Sequence, residues 1–92
     1  MKLKISADSF FERRLMVVRD ECVEFVEGMG FSSKRRFGYD QIECVLLSPQ
    51  DVLSFQVGNE VFNLAVRSYK PKHQQAIAAL VANVRRANGL PA

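Results

Sequence analysis

Polar and apolar residues alternate through most of this chain, and the rhythm changes once, near residue 70. Before that point the period is two, the mark of half-buried strands. After it the period is helical. Within Pro71 to Asn88, Ala76, Ile77, Leu80, Val81 and Val84 form one apolar stripe. Pro71 suits a first turn, and Arg85 and Arg86 suit a last turn at the negative end of the helix dipole. Gly89 and Pro91 then stop the helix. The expected buried face is Ile77, Leu80, Val81 and Val84, with Gln74, Gln75, Arg85 and Arg86 turned away.

The strands can be taken in order. Lys2 to Ile5 alternates basic and apolar residues, and Ser6 to Ser9 reads as a turn. From Phe11 the alternation puts Phe11, Leu15 and Val17 on one face. Met16 and Val18 fall on the other and make the outer side unusually apolar. Arg19-Asp20 is a tight turn into Cys22 to Glu27, where Val23 and Phe25 lie opposite Glu24 and Cys22. Gly28 to Ser33 is a loop carrying Met29 and Phe31. Lys34 to Tyr39 opens the next strand, with Phe37 and Tyr39 on one face and Lys34 and Arg36 on the other. Ile42 to Leu47 follows. Ser48 to Asp51 is a turn, and Val52 to Val57 puts Leu53, Phe55 and Val57 inward. Gly58-Asn59 has the chemistry of a two-residue hairpin, leading to Phe62, Leu64 and Val66 on the matching face. The pattern gives six strands, with the N-terminal segment as a seventh left open. Short connections favour antiparallel neighbours.

Size and charge add limits. The 92 residues make one domain, expected over 1–92 with a core from about 10 to 88. Seven phenylalanines and a 48% hydrophobic content are enough for a core. The net charge of +3 permits anionic partners without arguing for them. No stretch resembles a signal peptide or a membrane span. A cytoplasmic chain with Cys22 and Cys44 as reduced, core-packed thiols is therefore the expectation.

The order of elements carries a resemblance. Arg14-Leu15-Met16-Val17-Val18, then Glu24-Phe25-Val26-Glu27-Gly28, then Tyr39-Asp40-Gln41-Ile42-Glu43-Cys44-Val45 resembles the bacterial pleckstrin-homology-like (PH-like) families. The resemblance spans roughly residues 10 to 88. It implies a mainly β, α+β fold: a partly open barrel of six or seven antiparallel strands closed by one C-terminal helix. It also implies a binding module for lipid head groups, peptides or protein partners without a catalytic centre. The hairpin Val18-Arg19-Asp20-Glu21 departs from the lipid-binding members, since two acids stand beside one arginine.

Catalytic chemistry is hard to assemble from these residues. His73 is the one histidine, and it falls in the first turn of the helix, where a solvated role is expected. No metal knuckle, HExxH or phosphate-loop spacing occurs. No enzyme activity and no cofactor are expected. Lys34-Arg35-Arg36 is the densest basic run, either a solvated strand end or a contact for an anion or anionic lipid. Met29 and Phe31 either fold back over the core or insert into a membrane or partner. Two function classes remain. One is a non-catalytic module that binds a protein partner or its own copy, with Met16, Val18, Met29 and Val45 as surplus apolar residues. The other is a peripheral binder of anionic membrane lipid. A small enzyme and a nucleic-acid binder rank below both, the latter because Phe37 points inward rather than toward bases.

Overall fold

A computed structural model describes residues 2–8, 13–28 and 32–91. Its strands are β1 (Lys2–Asp8), β2 (Arg13–Arg19), β3 (Cys22–Gly28), β4 (Ser32–Gly38), β5 (Ile42–Leu47), β6 (Val52–Val57) and β7 (Glu60–Ala65), followed by helix α1 (Pro71–Ala87). All pairing is antiparallel and between sequence neighbours. It forms a four-stranded sheet, β1-β2-β3-β4, and a three-stranded sheet, β5-β6-β7, rather than one closed barrel.

The N-terminal strand is longer than alternation suggests. Ser6, Ala7 and Asp8 continue β1 and pair with Leu15, Arg14 and Arg13, although their composition reads as a turn. The partner strand overrides the weak local preference. The second correction concerns β2, whose faces are exchanged relative to the expected ones. Met16 and Val18 are fully buried in the core. Leu15 and Val17 lie on the outer face, and Val17 is covered there as well. A run of four apolar residues, Leu15 to Val18, has no alternation of its own, so only the sheet packing decides the phase. The remaining strands keep the expected phase, with Val23, Phe25, Leu53, Phe55, Phe62 and Leu64 buried.

Four phenylalanines join the sheets. Phe25 and Phe37 of the first meet Phe55 and Phe62 of the second, with ring centroids 5.0–6.1 Å apart. Most of these pairs are edge-on or tilted, the arrangement that matches ring edges to π-faces. Arg35 points to this inner side, its guanidinium 5.3 Å from the Phe37 centroid and 5.2 Å from that of Phe62. Arg14 crosses the gap as well, donating from Nη1 to the carbonyl of Asn63 at 2.6 Å.

Helix α1 packs on β1, the Tyr39–Gln41 turn and β2. Ala76 and Leu80 are fully buried, whereas Ile77, Val81 and Val84 are half-buried. The buried face is thus centred one position away from the expected one. At the C-terminus, Gly89 takes φ +76°. Leu90 N–H reaches the Arg85 carbonyl and Gly89 N–H the Arg86 carbonyl, the paired bonds of a left-handed helix stop. The helix entry is fastened at several points. Asp51 binds the Ser68 hydroxyl at 2.8 Å and its N–H at 3.3 Å. His73 Nδ1 accepts the Arg67 N–H at 2.9 Å.

Burying Leu80 contributes roughly 1.5–3 kcal/mol, and Leu80→Ala is expected to cost about 2–5 kcal/mol. Leu80→Asp adds a buried carboxylate to that loss and is expected to unfold the domain. Urea denaturation followed by circular dichroism checks both. An unfolding midpoint unchanged in Leu80→Asp would mean that α1 does not close the sheet.

Candidate functional site

The outer faces of the two sheets differ in chemistry, and each offers a different kind of site. On the first sheet, register places Lys4, Val17, Glu24 and Arg36 in one row across four strands. The next rows hold Lys2 with Arg19, and Leu15 with Val26 and Lys34. Glu24 sits at the centre and is 1% exposed. Its carboxylate takes an ion pair from Lys34 Nζ at 2.7 Å, one from Arg36 at 3.3 Å and a close one from Arg19. These three partners hold the Glu24 carboxyl at a pKa of about 2, Lys34 contributing most, against the opposing effect of burial. The three cations stay partly exposed, with 39%, 58% and 64% of the Arg19, Lys34 and Arg36 side chains reaching water.

Tyr39 stabilises the turn that presents Arg19. Its hydroxyl lies against the Arg19 carbonyl and 3.0 Å from that of Cys22. Burial pushes the Tyr39 phenol up. A cleft of about 490 Å³ opens beside the cluster, lined by Arg19, Asp20, Glu21, Cys22 and Arg36.

The expected trio Lys34, Arg35, Arg36 is therefore divided by strand alternation. Lys34 and Arg36 join the Glu24 cluster. Arg35 turns inward over Phe37 and Phe62, and its Nη1 lies 2.5 Å from Glu60 Oε2. That pairing holds Glu60 below the usual carboxylate range. The expected apolar contacts Met29 and Phe31 lie outside the described residues.

On the second sheet, register places Cys44 and Leu46 of β5, Ser54 and Gln56 of β6, and Val61, Asn63 and Ala65 of β7 on the outer face. None of these side chains is an acid or a basic amine. Leu46 is 60% exposed and Val61 58% exposed. Strand β5 is also an edge, with one row of backbone groups unpaired within the sheet. Its inward residues are incompletely covered: Leu47 is exposed, and Val45 lines a groove of about 370 Å³ with Val81, Val84 and Leu90. Cys44 is exposed and Cys22 half-buried, and both are free thiols. The core-packed reading of Cys44 fails because its register position lies on the outer face of the second sheet.

Met16 and Val18 leave the set of surplus surface residues, since both belong to the core. His73 is an acceptor for the helix entry. Burial and the adjacent Lys70 and Arg67 charges push its pKa down. Among the described residues no group of three His, Cys, Asp or Glu side chains is placed to hold a metal ion, and no helix is long and apolar enough to cross a membrane. Alternation alone puts Glu24 on the solvent side and gives no hint of its burial. The signal lies in hairpin counting: the connection after Gly28 sets Arg36 opposite Glu24, and the Arg19-Asp20 turn sets Val17 opposite it on the other side.

Comparison with family models, with curated proteins and with solved structures finds no match to this chain.

The Glu24 carboxyl is depressed in the fold relative to its ordinary 4.5. Its stabilising contribution is therefore complete above pH 4.5 and is lost as pH falls from there toward 2. Urea midpoints at pH 6, 4 and 3 should decline in the native chain, and decline less in Glu24→Gln. The residual slope in that variant belongs in part to Glu60, which shifts in the same direction. Equal slopes in both chains would remove Glu24 from the acid limb.

Proposed function

We propose that this chain is a non-catalytic, PH-like interaction module that docks protein through the second sheet, with its own copy as the first partner. The supporting observation is the charge-free outer face of β5-β6-β7, which exposes Leu46 and Val61 and ends at the unpaired edge of β5. Soluble domains usually protect an edge strand with charge, proline or a covering element. Glu43, in the irregularity at the start of β5, is the one charge on this edge, and Cys44, Val45, Leu46 and Leu47 beyond it carry none. A second copy meeting the same patch would cover apolar surface on both sides and leave no charge desolvated.

The PH-like architecture is part of the same proposal. Seven antiparallel strands in two sheets with one C-terminal helix agree in element order with the resemblance. The PH-like reading goes further and treats the sheets as the two walls of a partly open barrel. An interaction role needs no reacting groups, and Cys44 is the one nucleophile among the residues placed on this face.

Leu46→Lys and Val61→Lys place a charge on the patch without touching the core. Multi-angle light scattering across a concentration series should show self-association in the native chain and a monomer in the double variant. Thermal midpoints should differ by no more than a few degrees, as is usual for exposed positions. A native chain that stays monomeric at several hundred micromolar, about the upper range of such measurements, would contradict self-association.

A further inference from the structure

The first sheet gathers more cations around one carboxylate than its neutralisation needs. One carboxylate, Glu24, is met by three cations, Arg19, Lys34 and Arg36. A single partner would neutralise it. The other two charges are held close to a third of the same sign, an arrangement that is unfavourable unless another anion completes it. The surroundings increase the imbalance. Lys2 and Lys4 lie on the same outer face and are exposed. The chain has 13 basic and 10 acidic residues, of which this face holds six and two among the described residues. The last register row sets Asp8 beside Arg13 and adds no net charge. The face is thus +4 on a chain whose total is +3, and the remainder of the molecule is slightly negative.

We propose that Arg19, Lys34 and Arg36, gathered on the buried Glu24 carboxylate, form a site for a phosphate group carrying two or more negative charges. Glu24 acts as an internal anchor. It sets the rotamers of three long side chains, so less of their freedom is lost when a ligand arrives. The Arg19 and Arg36 guanidinium groups supply forked donors suited to phosphate oxygens, and Lys34 adds a point charge. The neighbouring cleft, lined by both arginines, leaves room for what the phosphate is attached to. Asp20 and Glu21, which also line it, would turn a second anionic group away and limit how a larger ligand lies. Among the described residues no aromatic side chain occupies this face, so they offer nothing for a nucleobase to stack on. The inference is independent of the self-association proposed for the second sheet, because the two use opposite outer faces.

Pyrophosphate and vesicles containing phosphatidic acid are the two probes, since the phosphate group could belong to a soluble compound or to a lipid. Binding of pyrophosphate is read by calorimetry, and binding of vesicles by co-sedimentation against neutral vesicles. Lys34→Gln with Arg36→Gln should weaken whichever probe binds by roughly tenfold or more, the loss expected for charge-assisted contacts. Lys70→Gln with Lys72→Gln removes the same charge elsewhere and should change binding less than about twofold if site contacts rather than net charge dominate. Response to both probes indicates that the phosphate alone is recognised; response to vesicles alone assigns the lipid source. Equal loss in both double variants, or no response to either probe at low salt, would overturn the proposal. Binding only to duplex nucleic acid would overturn it too. Circular dichroism melts of both double variants keep a folding defect from being read as lost binding.

Discussion

The two sheets of this domain are held face to face chiefly by four phenylalanine rings. Phe25 and Phe37 on one side and Phe55 and Phe62 on the other form a continuous cluster. Among the described residues no ladder of strand pairing links the sheets, so their relative placement depends on side-chain packing. That constraint reaches outward. Once the inner faces are committed to this cluster and to Leu80 of the helix, alternation by two dictates what each outer face must show. The first sheet then presents lysine and arginine around Glu24. The second presents Leu46, Val61 and uncharged polar groups. Even Arg35 obeys the constraint, since its position on the inner phase of β4 sends it over Phe37 and Phe62 and away from Lys34 and Arg36.

The pattern of apolar residues made much of this legible. The helix, its proline entry and its glycine stop follow from local chemistry, and so do the Gly58 hairpin and the inward residues of β3, β6 and β7. What could not be read is where phase or neighbours decide. Leu15 to Val18 are all apolar, so the sequence contains no choice between the faces of β2. Ser6 to Asp8 have turn composition, and only the long pairing with β2 keeps them extended. Cys44, Leu46 and Leu47 look like core in a run of apolar residues. Cys44 and Leu46 are exposed because register puts them on the outer face, and Leu47 because β5 is an edge, both of which are properties of the topology.

The candidate sites fall on the less legible side for the same reason. Lys34-Arg35-Arg36 is conspicuous as a run, yet the run is not the unit that folding creates. The unit is Arg19, Lys34 and Arg36, drawn from the end of β2 and the middle of β4 by a glutamate of β3 that looks ordinary in the sequence. The free β5 edge is equally invisible until strand order is known. In both cases single residues are weak signals, and their meaning comes from register.

The account predicts that the molecule divides its two binding surfaces between its two sheets. Backbone amide NMR on one isotopically labelled sample tests this directly, by dilution and then by titration with pyrophosphate. Dilution should move amides of β5 and β7 while leaving those around Glu24 unchanged. Pyrophosphate should move amides of Arg19, Glu24, Lys34 and Arg36 while leaving Leu46 and Val61 unchanged. Both treatments shifting the same residues, or neither shifting any, would contradict the division.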